Sequence, residues 1–382
     1  MRLLHTADWH LGARLVERDR LAEHAAFLDW LVETLRSENV DTLLVSGDIF
    51  DAANPPQEAV SLYFDFLRRL ADLKTTRAVI TSGNHDSAQH LDAPRELLRR
   101  FEVHVYGAAG FGNVVQTPDA VIAAVPFLRE RDLRGSKAGE TATQAHELLL
   151  AGIRAHYTEM LSRCRAVAQG RKMIAMGHLT ALGGLHSESE RDIHIGNLGA
   201  VGAEVFAGFD FTALGHLHRP QTVNGCEMIR YSGSPIALSF PEAADTKSVV
   251  LLDTQTMKME LLPVPVSRLL TRAKASRATL TEDLAAVPAG CWTEVTVRLE
   301  APEMELDRLV RDAAAGRFEV LKVLTDLPES ARAAWEHTGP VLSDLSPREV
   351  FRELLTERGV EEEPELMATF EELLSLHASQ SD

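Results

Sequence analysis

Five short apolar runs in this chain end in side chains able to hold a metal ion. In order they are Asp8-x-His10 after RLLHTA, Gly47-Asp48 after DTLLVS, Gly83-Asn84-His85-Asp86 after AVITS, Gly177-His178 after KMIAM, and Gly215-His216-x-His218 after FTAL. Carboxylate, imidazole and amide oxygen without thiolate make a mixed donor set, suited to Mn, Fe or Zn rather than to Ca. Seven candidate ligands (Asp8, His10, Asp48, Asn84, His178, His216 and His218) exceed the needs of one ion and suit two, with one carboxylate shared. Two ions about 3.5–4 Å apart are the recurring solution for attacking a phosphate ester, since together they activate a water and hold the phosphoryl oxygens. Each motif alone is commonplace; their conjunction at successive strand ends is not. In a continuing strand, His216 and His218 would share one face and bury two imidazoles there. Gly215 suggests that the strand stops and the chain turns, so that both rings enter one cavity.

The elements that must position these residues alternate. Between the first three apolar runs lie amphipathic stretches near 22–37 and 57–72, and further strands are expected near 120–126, 228–232 and 247–253. Strands alternating with helices predict a layered α/β domain, whose sites collect where the carboxyl ends of separate strands converge. PVPVSR at 263–268 marks a linker. Beyond it, a helix at 280–287, the alternating strand CWTEVTVRL, a helix at 303–314 and the strand FEVLKVL predict a compact βαβ-type second domain. Two amphipathic helices follow, in SPREVFRELLTERG and EPELMATFEELLSLH, the first opened by Ser346-Pro347-x-Glu349 and stopped by Gly359. Too short to form a core of their own, they suggest an interaction element. The expected organisation is therefore 1–265, 266–330 and 331–382.

Composition limits the classes available. The net charge of −17 argues against a uniformly basic nucleic-acid binder, yet residues 341–382 hold eleven acidic residues against three arginines and so carry −8 of it. Carboxylates engaged with metal would neutralise more, and Arg129, Arg131, Arg134 and Lys137 offer a local basic cluster. No run of eighteen apolar residues suggests a membrane helix, and the N-terminus lacks a secretory apolar core. Cys164, Cys226 and Cys291, odd in number and widely spaced, fit a reducing compartment, so a cytoplasmic location is expected. Without a GxxxxGK[ST] loop, any ATP dependence must come from a partner.

The order of the five motifs resembles that of the calcineurin-like metallophosphoesterases from Asp8 to His218. Within them, LLHTADWHLG, SGDIFD, GNHDS, GHLTALG, RDIHIGNL, LGHLHRPQ and YSGSPIALSF resemble the SbcD family of bacterial nucleases. The resemblance implies a layered α/β fold of two sheets flanked by helices, with a smaller α+β capping domain and C-terminal helices. It implies two divalent ions, Mn2+ first among them. Asp8, His10, Asp48 and His218 would hold one ion; Asp48 would bridge to the second, with Asn84, His178 and His216. His85 would face the scissile phosphate as proton donor, and Asp86 stands where an acid could orient that imidazole. The implied activity is exonucleolytic and endonucleolytic cleavage of DNA in break and hairpin processing and recombination. The implied assembly is a homodimer bound to SbcC, a coiled-coil ATPase. A stripe of Val60, Tyr63, Phe64 and Leu67 offers a dimer face. The alternatives are another phosphodiesterase or phosphatase on the same metal core, and a non-catalytic scaffold. His5 and His24 read as structural, and His186 and His194, in a loop after His178, are not counted among the site residues.

Overall fold

The computed structural model describes residues 1–134, 140–182, 184 and 201–328, together with 348, 350–352, 355, 366–370 and 374. Lys137, His186 and His194 lie outside the described residues, as do the helix signals Ser346, Pro347, Glu349 and Gly359. The chain divides into two compact units: Met1–Arg272 with Val287–Glu294 and Arg317–Lys322, and Ala273–Ala286 with Val295–Gly316 and Val323–Asp382.

The first unit is built on two six-stranded sheets. One runs Met259–Pro263, Ser248–Asp253, Arg2–Thr6, Thr42–Ser46, Arg77–Thr81, Val103–Tyr106; its last four strands are mutually parallel. The other runs Gln221–Val223, Cys226–Tyr231, Phe211–Gly215, Lys172–His178, Ala120–Ala123, Val114–Gln116. Consecutive residues of a strand face opposite sides, and the sequence uses both. Leu3, Leu44 and Val79 meet Ile174, Met176, Phe211 and Ala213 of the other sheet. Leu4, Leu43, Val45 and Ile80 point outward, onto Phe27, Leu31, Tyr63, Phe66 and Leu70 of the helices Leu21–Ser37 and Gln57–Asp72. On the far side, Val121, Ala175 and Leu214 pack beneath Ile153, Tyr157 and Met160 of the helix Ala142–Ala168. Sheets buried on both faces explain the uninterrupted apolar runs of the sequence. Among the described residues no helix is long and apolar enough to cross a membrane.

The proposed dimer stripe is mostly core. Tyr63 and Leu67 are buried and Val60 packs against them, because the helix spends that face on the sheet; only Phe64, 40% accessible, is left outside.

A third sheet orders Leu270–Ser276, Trp292–Arg298 and Glu319–Asp326. Its first strand was not signalled in the sequence, since the Arg272-x-Lys274 alternation there reads as polar chain. In the second unit, Leu280 and Leu284 of one helix and Leu306 and Val310 of another are buried. Of the terminal helices, Phe351 and Phe370 stack with centroids 4.1 Å apart and planes 6° from parallel. Val350, Leu355, Leu366 and Leu374 are helical, while Leu354 and Leu373 lie outside the described residues.

Two histidines are structural. His5 lies edge-on to Phe211, 6.3 Å between centroids, and neither ring nitrogen has a hydrogen-bond partner among the described residues. Burial, then Arg230, hold its pKa down to about 3; burial, then Arg20, do the same for His24. Both stay neutral in the folded chain, whereas the unfolded chain binds protons from pH 6.5 downward. Stability is therefore complete above that pH and falls as the pH drops toward 3, by about 1.4 kcal/mol per unit for each group. His5→Leu is expected to recover about 2 kcal/mol of this loss at pH 5. Urea denaturation of chelator-treated protein at pH 7 and pH 5 measures it, and identical pH dependence in parent and variant would refute the assignment.

Candidate metal centre

The motif residues meet because the chain turns sharply at the strand ends. Asp8, His10 and Asp48 have φ of 53°, 48° and 49°, and His216 has 102°. Left-handed backbone at a non-glycine residue costs about 1–3 kcal/mol and persists only where the surroundings impose it. Here the loops after Arg2–Thr6 and Thr42–Ser46 impose it by continuing to pair: the N–H groups of Asp8, His10 and Leu11 donate to the carbonyls of Gly47, Asp48 and Ile49 at 3.0, 3.0 and 2.9 Å. The turns swing both carboxylates off the strand faces into one hollow. Gly47, with φ of 84°, has no room for a side chain, because a Cβ would stand 2.2 Å from His178 Nδ1. At Gly83 a Cβ would meet Asp48 Oδ1 at 2.1 Å.

Asp48 sits at the centre. Its Oδ2 is 3.5 Å from His10 Nε2 and 3.2 Å from His178 Nε2, and its Oδ1 accepts the His85 main-chain N–H at 2.9 Å. His10 Nε2 lies 3.2 Å from His218 Nε2 on one side. On the other, His178 Nε2 lies 2.9 Å from Asn84 Oδ1, with the His216 ring 5.4 Å from the His178 ring. Asp8 Oδ1 accepts the His216 N–H at 2.8 Å and stands 3.7 Å from His178 Nδ1. Three of the rings share one polarity. Nδ1 faces Ser46 O in His178, Asp51 Oδ1 in His10 and Glu242 Oε1 in His218, which leaves each Nε2 inward. All seven candidate ligands and His85 thus fall in a single cluster, buried except for the half-buried Asn84.

Electrostatics bind this cluster together. Burial opposes ionisation of Asp48, yet His178 and His10 hold its carboxyl well below the ordinary range. Burial raises Asp8 to about 6, against the pull of His178 and His218. Burial disfavours charge on His178, but Asp48 beside it wins and raises it to about 9. Protons on imidazole here balance buried carboxylates, the task that divalent cations perform in a centre of this composition. Ligands must shed those protons to bind, so affinity falls in acid. The residues fit such ions: Asp8 Oδ2 is buried with no hydrogen-bond partner among the described residues, and the donors are oxygen and imidazole.

Several expectations change. Asp86 does not orient His85. Its carboxylate accepts the N–H groups of Gly83, Phe50 and Ile49 at 2.8, 2.9 and 3.1 Å, and so staples the GNHD turn to the Asp48 loop. Burial, then Asp48, push its carboxyl up to about 6. His85 is oriented instead through Nδ1, 2.7 Å from the Asp51 carbonyl. Asp51 and Glu242 were missed. Asp51 was visible as the last acid of SGDIFD; Glu242 carries no local signal. In the basic cluster, Arg134 is paired to Glu130 and Glu140, Arg131 stands beside Asp132, and Arg129 donates to the Asp86 carbonyl at 3.3 Å.

Comparison with known proteins gives a consistent picture. Residues 1–220 match the family model described as calcineurin-like phosphoesterase, and residues 266–358 match the type 5 capsule protein repressor C-terminal domain. The chain is 36% identical over 372 residues to the SbcD component of the nuclease SbcCD from Escherichia coli K12, covering 93% of this chain and 92% of that protein. It is 40% identical over 349 residues to the SbcD component from Rhodobacter capsulatus, covering 86% and 81%. With the Bacillus subtilis SbcD it shares 36% over 270 residues, covering 67% and 66%.

Proposed function

Because this chain belongs to the calcineurin-like phosphoesterases and, within them, to the SbcD components of SbcCD nucleases, we propose that it is a Mn2+-dependent DNA exonuclease and endonuclease acting with an SbcC-type ATPase in break and hairpin processing. One observation carries the reading: Asp48 lies between two groups of imidazoles, His10 with His218 and His178 with His216, as a bridging carboxylate must.

Asp8, His10, Asp48 and His218 would hold one ion, and Asp48, Asn84, His178 and His216 the other. Such a pair supplies an activated water and charge stabilisation on the phosphoryl oxygens. The chain's own residues do the rest. Ser46 O, Asp51 and Glu242 fix the ring orientations from behind, so no ligand must reorganise during the reaction. His85, tied through Nδ1 to Asp51 O, presents the remaining face of its imidazole to the site. From there it would protonate the leaving 3′ or 5′ oxygen. The left-handed turns hold both carboxylates in place before substrate arrives.

The test is Mn2+-dependent cleavage of duplex and hairpin DNA compared with an aryl phosphodiester. Turnover of the small ester with no cleavage of DNA would reduce the reading to a general phosphodiesterase. We put the partner on the terminal helices, where the Phe351–Phe370 stack supports a packed helix pair. Removing residues 340–382 is expected to leave Mn2+-dependent cleavage of simple DNA intact and to abolish ATP-stimulated cleavage with SbcC. Undiminished SbcC binding in a pull-down would move the interface elsewhere.

A homodimer belongs to the same proposal, and the groove between Leu21–Ser37 and Gln57–Asp72 supports it. Leu21, Ala22, Ala25 and Leu62 give this groove an apolar floor, with Asp19, Gln57, Glu58, Ser61 and Asp65 around it. Sedimentation is expected to give a dimer at micromolar concentration and a monomer for Leu62→Glu. A parent that sediments as monomer at high micromolar concentration counts against it. The reading also puts the chain in the cytoplasm, in keeping with its free cysteines.

A further inference from the structure

Glu242 and Lys247 form an ion pair in the interior, Nζ to Oε2 at 2.6 Å, with Glu242 fully inaccessible. Removing two charges from water costs several kcal/mol per ion, and well-packed apolar residues often replace such a pair without loss. Stability alone therefore gives it little reason to exist. Its surroundings give one. Lys247 Nζ donates to the His218 carbonyl at 2.9 Å and to Ser234 Oγ at 3.0 Å, and the Ser234 N–H donates to the same carbonyl at 3.0 Å. Glu242 Oε1 stands 3.6 Å from His218 Nδ1 and accepts from Ser239 Oγ at 3.0 Å. Its Oε2 accepts the Leu238 N–H at 3.3 Å. The pair thus holds His218 at both ends, by its main-chain carbonyl and by the outer nitrogen of its ring.

We propose that Glu242 and Lys247 are positioning residues that fix the rotamer and tautomer of His218, so that its Nε2 lone pair points at the metal position shared with His10. Glu242 keeps the proton of His218 on Nδ1; a small ring rotation closes their contact into a hydrogen bond, as carboxylates behind metal-bound histidines do. His218 Nε2, 3.2 Å from His10 Nε2, is then free to donate its lone pair. Lys247 lets a carboxylate serve here without adding net negative charge to a cluster that already buries Asp8 and Asp48. The Lys247 contact to the His218 carbonyl also anchors the main chain where it leaves His218. This inference rests on His218 being a ligand.

The experiment needs no DNA. Full-length protein stripped of metal is titrated with Mn2+ by calorimetry and with Co2+ by visible absorption, alongside thermal unfolding. Glu242→Gln is expected to weaken one of two binding equivalents by about ten- to a hundred-fold, to leave the other unchanged, and to alter the Co2+ spectrum. Lys247→Met leaves a buried charge unpaired and should lower Tm. The double variant Glu242→Gln/Lys247→Met restores charge balance, so Tm should recover while metal affinity stays weak. Parental affinities and spectrum in Glu242→Gln, or affinity recovering with Tm in the double variant, would overturn the positioning role and leave the pair purely structural. His218→Ala separates this from the assignment beneath it. Loss of one equivalent supports His218 as a ligand, and two parental equivalents overturn the ligand assignment and the proposal with it.

Discussion

His85→Ala is expected to keep both divalent ions and to lose nuclease turnover by about a hundred- to ten-thousand-fold, the usual cost of removing a general acid. The structure explains why the two effects separate. The contact that ties this residue to the proposed bridge runs from its main-chain N–H to Asp48 Oδ1, and alanine preserves it. What disappears is an imidazole whose Nδ1 is held by the Asp51 carbonyl and whose ring stands edge-on to His10, 4.7 Å between centroids. The loss should fall on kcat with a DNA substrate carrying a poor leaving group. It should shrink for an aryl phosphodiester, whose leaving oxygen needs no proton. Metal analysis after gel filtration, beside steady-state rates on both substrates, measures the outcome. Loss of one equivalent of metal, or equal loss of rate on both esters, would show that His85 is not the proton donor.

Asp48→Asn is expected to act on binding itself, lowering occupancy of both positions and abolishing activity. An amide keeps the size of the side chain but offers one oxygen where two are used. It also removes the charge that draws His178 and His10 together. With that charge gone, His178 should bind its proton less tightly, so its pKa falls from the raised value toward the ordinary imidazole range. NMR titration of the ring in metal-free protein reads this directly. Two ions bound at parental affinity would end the bridging assignment. Asp86 gives the contrast. Its carboxylate serves backbone N–H groups, so Asp86→Asn should cost stability through the GNHD turn without changing which groups can bind metal.

The sequence by itself determined a good deal. Five apolar runs closing in carboxylate, imidazole or amide named the candidate ligands and the strand ends in one stroke, because a strand buried on both faces must be apolar until it leaves the core. Asp8, His10, Asp48, Asn84, His85, His178, His216 and His218 were all legible in that way. So were the helices Leu21–Ser37 and Gln57–Asp72, whose periodic faces extend over four turns.

Other features were decided only by the tertiary structure, and the cause in each case is a contact between segments far apart in sequence. Whether Tyr63 and Leu67 meet a second chain or their own sheet depends on what packs opposite, which periodicity does not encode. Asp86 looked like a partner for the adjacent imidazole. It turned instead to the N–H groups of the Asp48 loop, 36 or 37 residues away, since unpaired buried donors there would cost more. Glu242 lies in the run SFPEAADTK, which reads as an ordinary surface turn. Only the burial of Lys247 beside it and the approach of His218 from 24 residues upstream bring it against the candidate metal centre. Which residues are candidates to bind metal is a local property of residue type and strand end. The orientation of a ligand belongs to whatever the fold brings behind it.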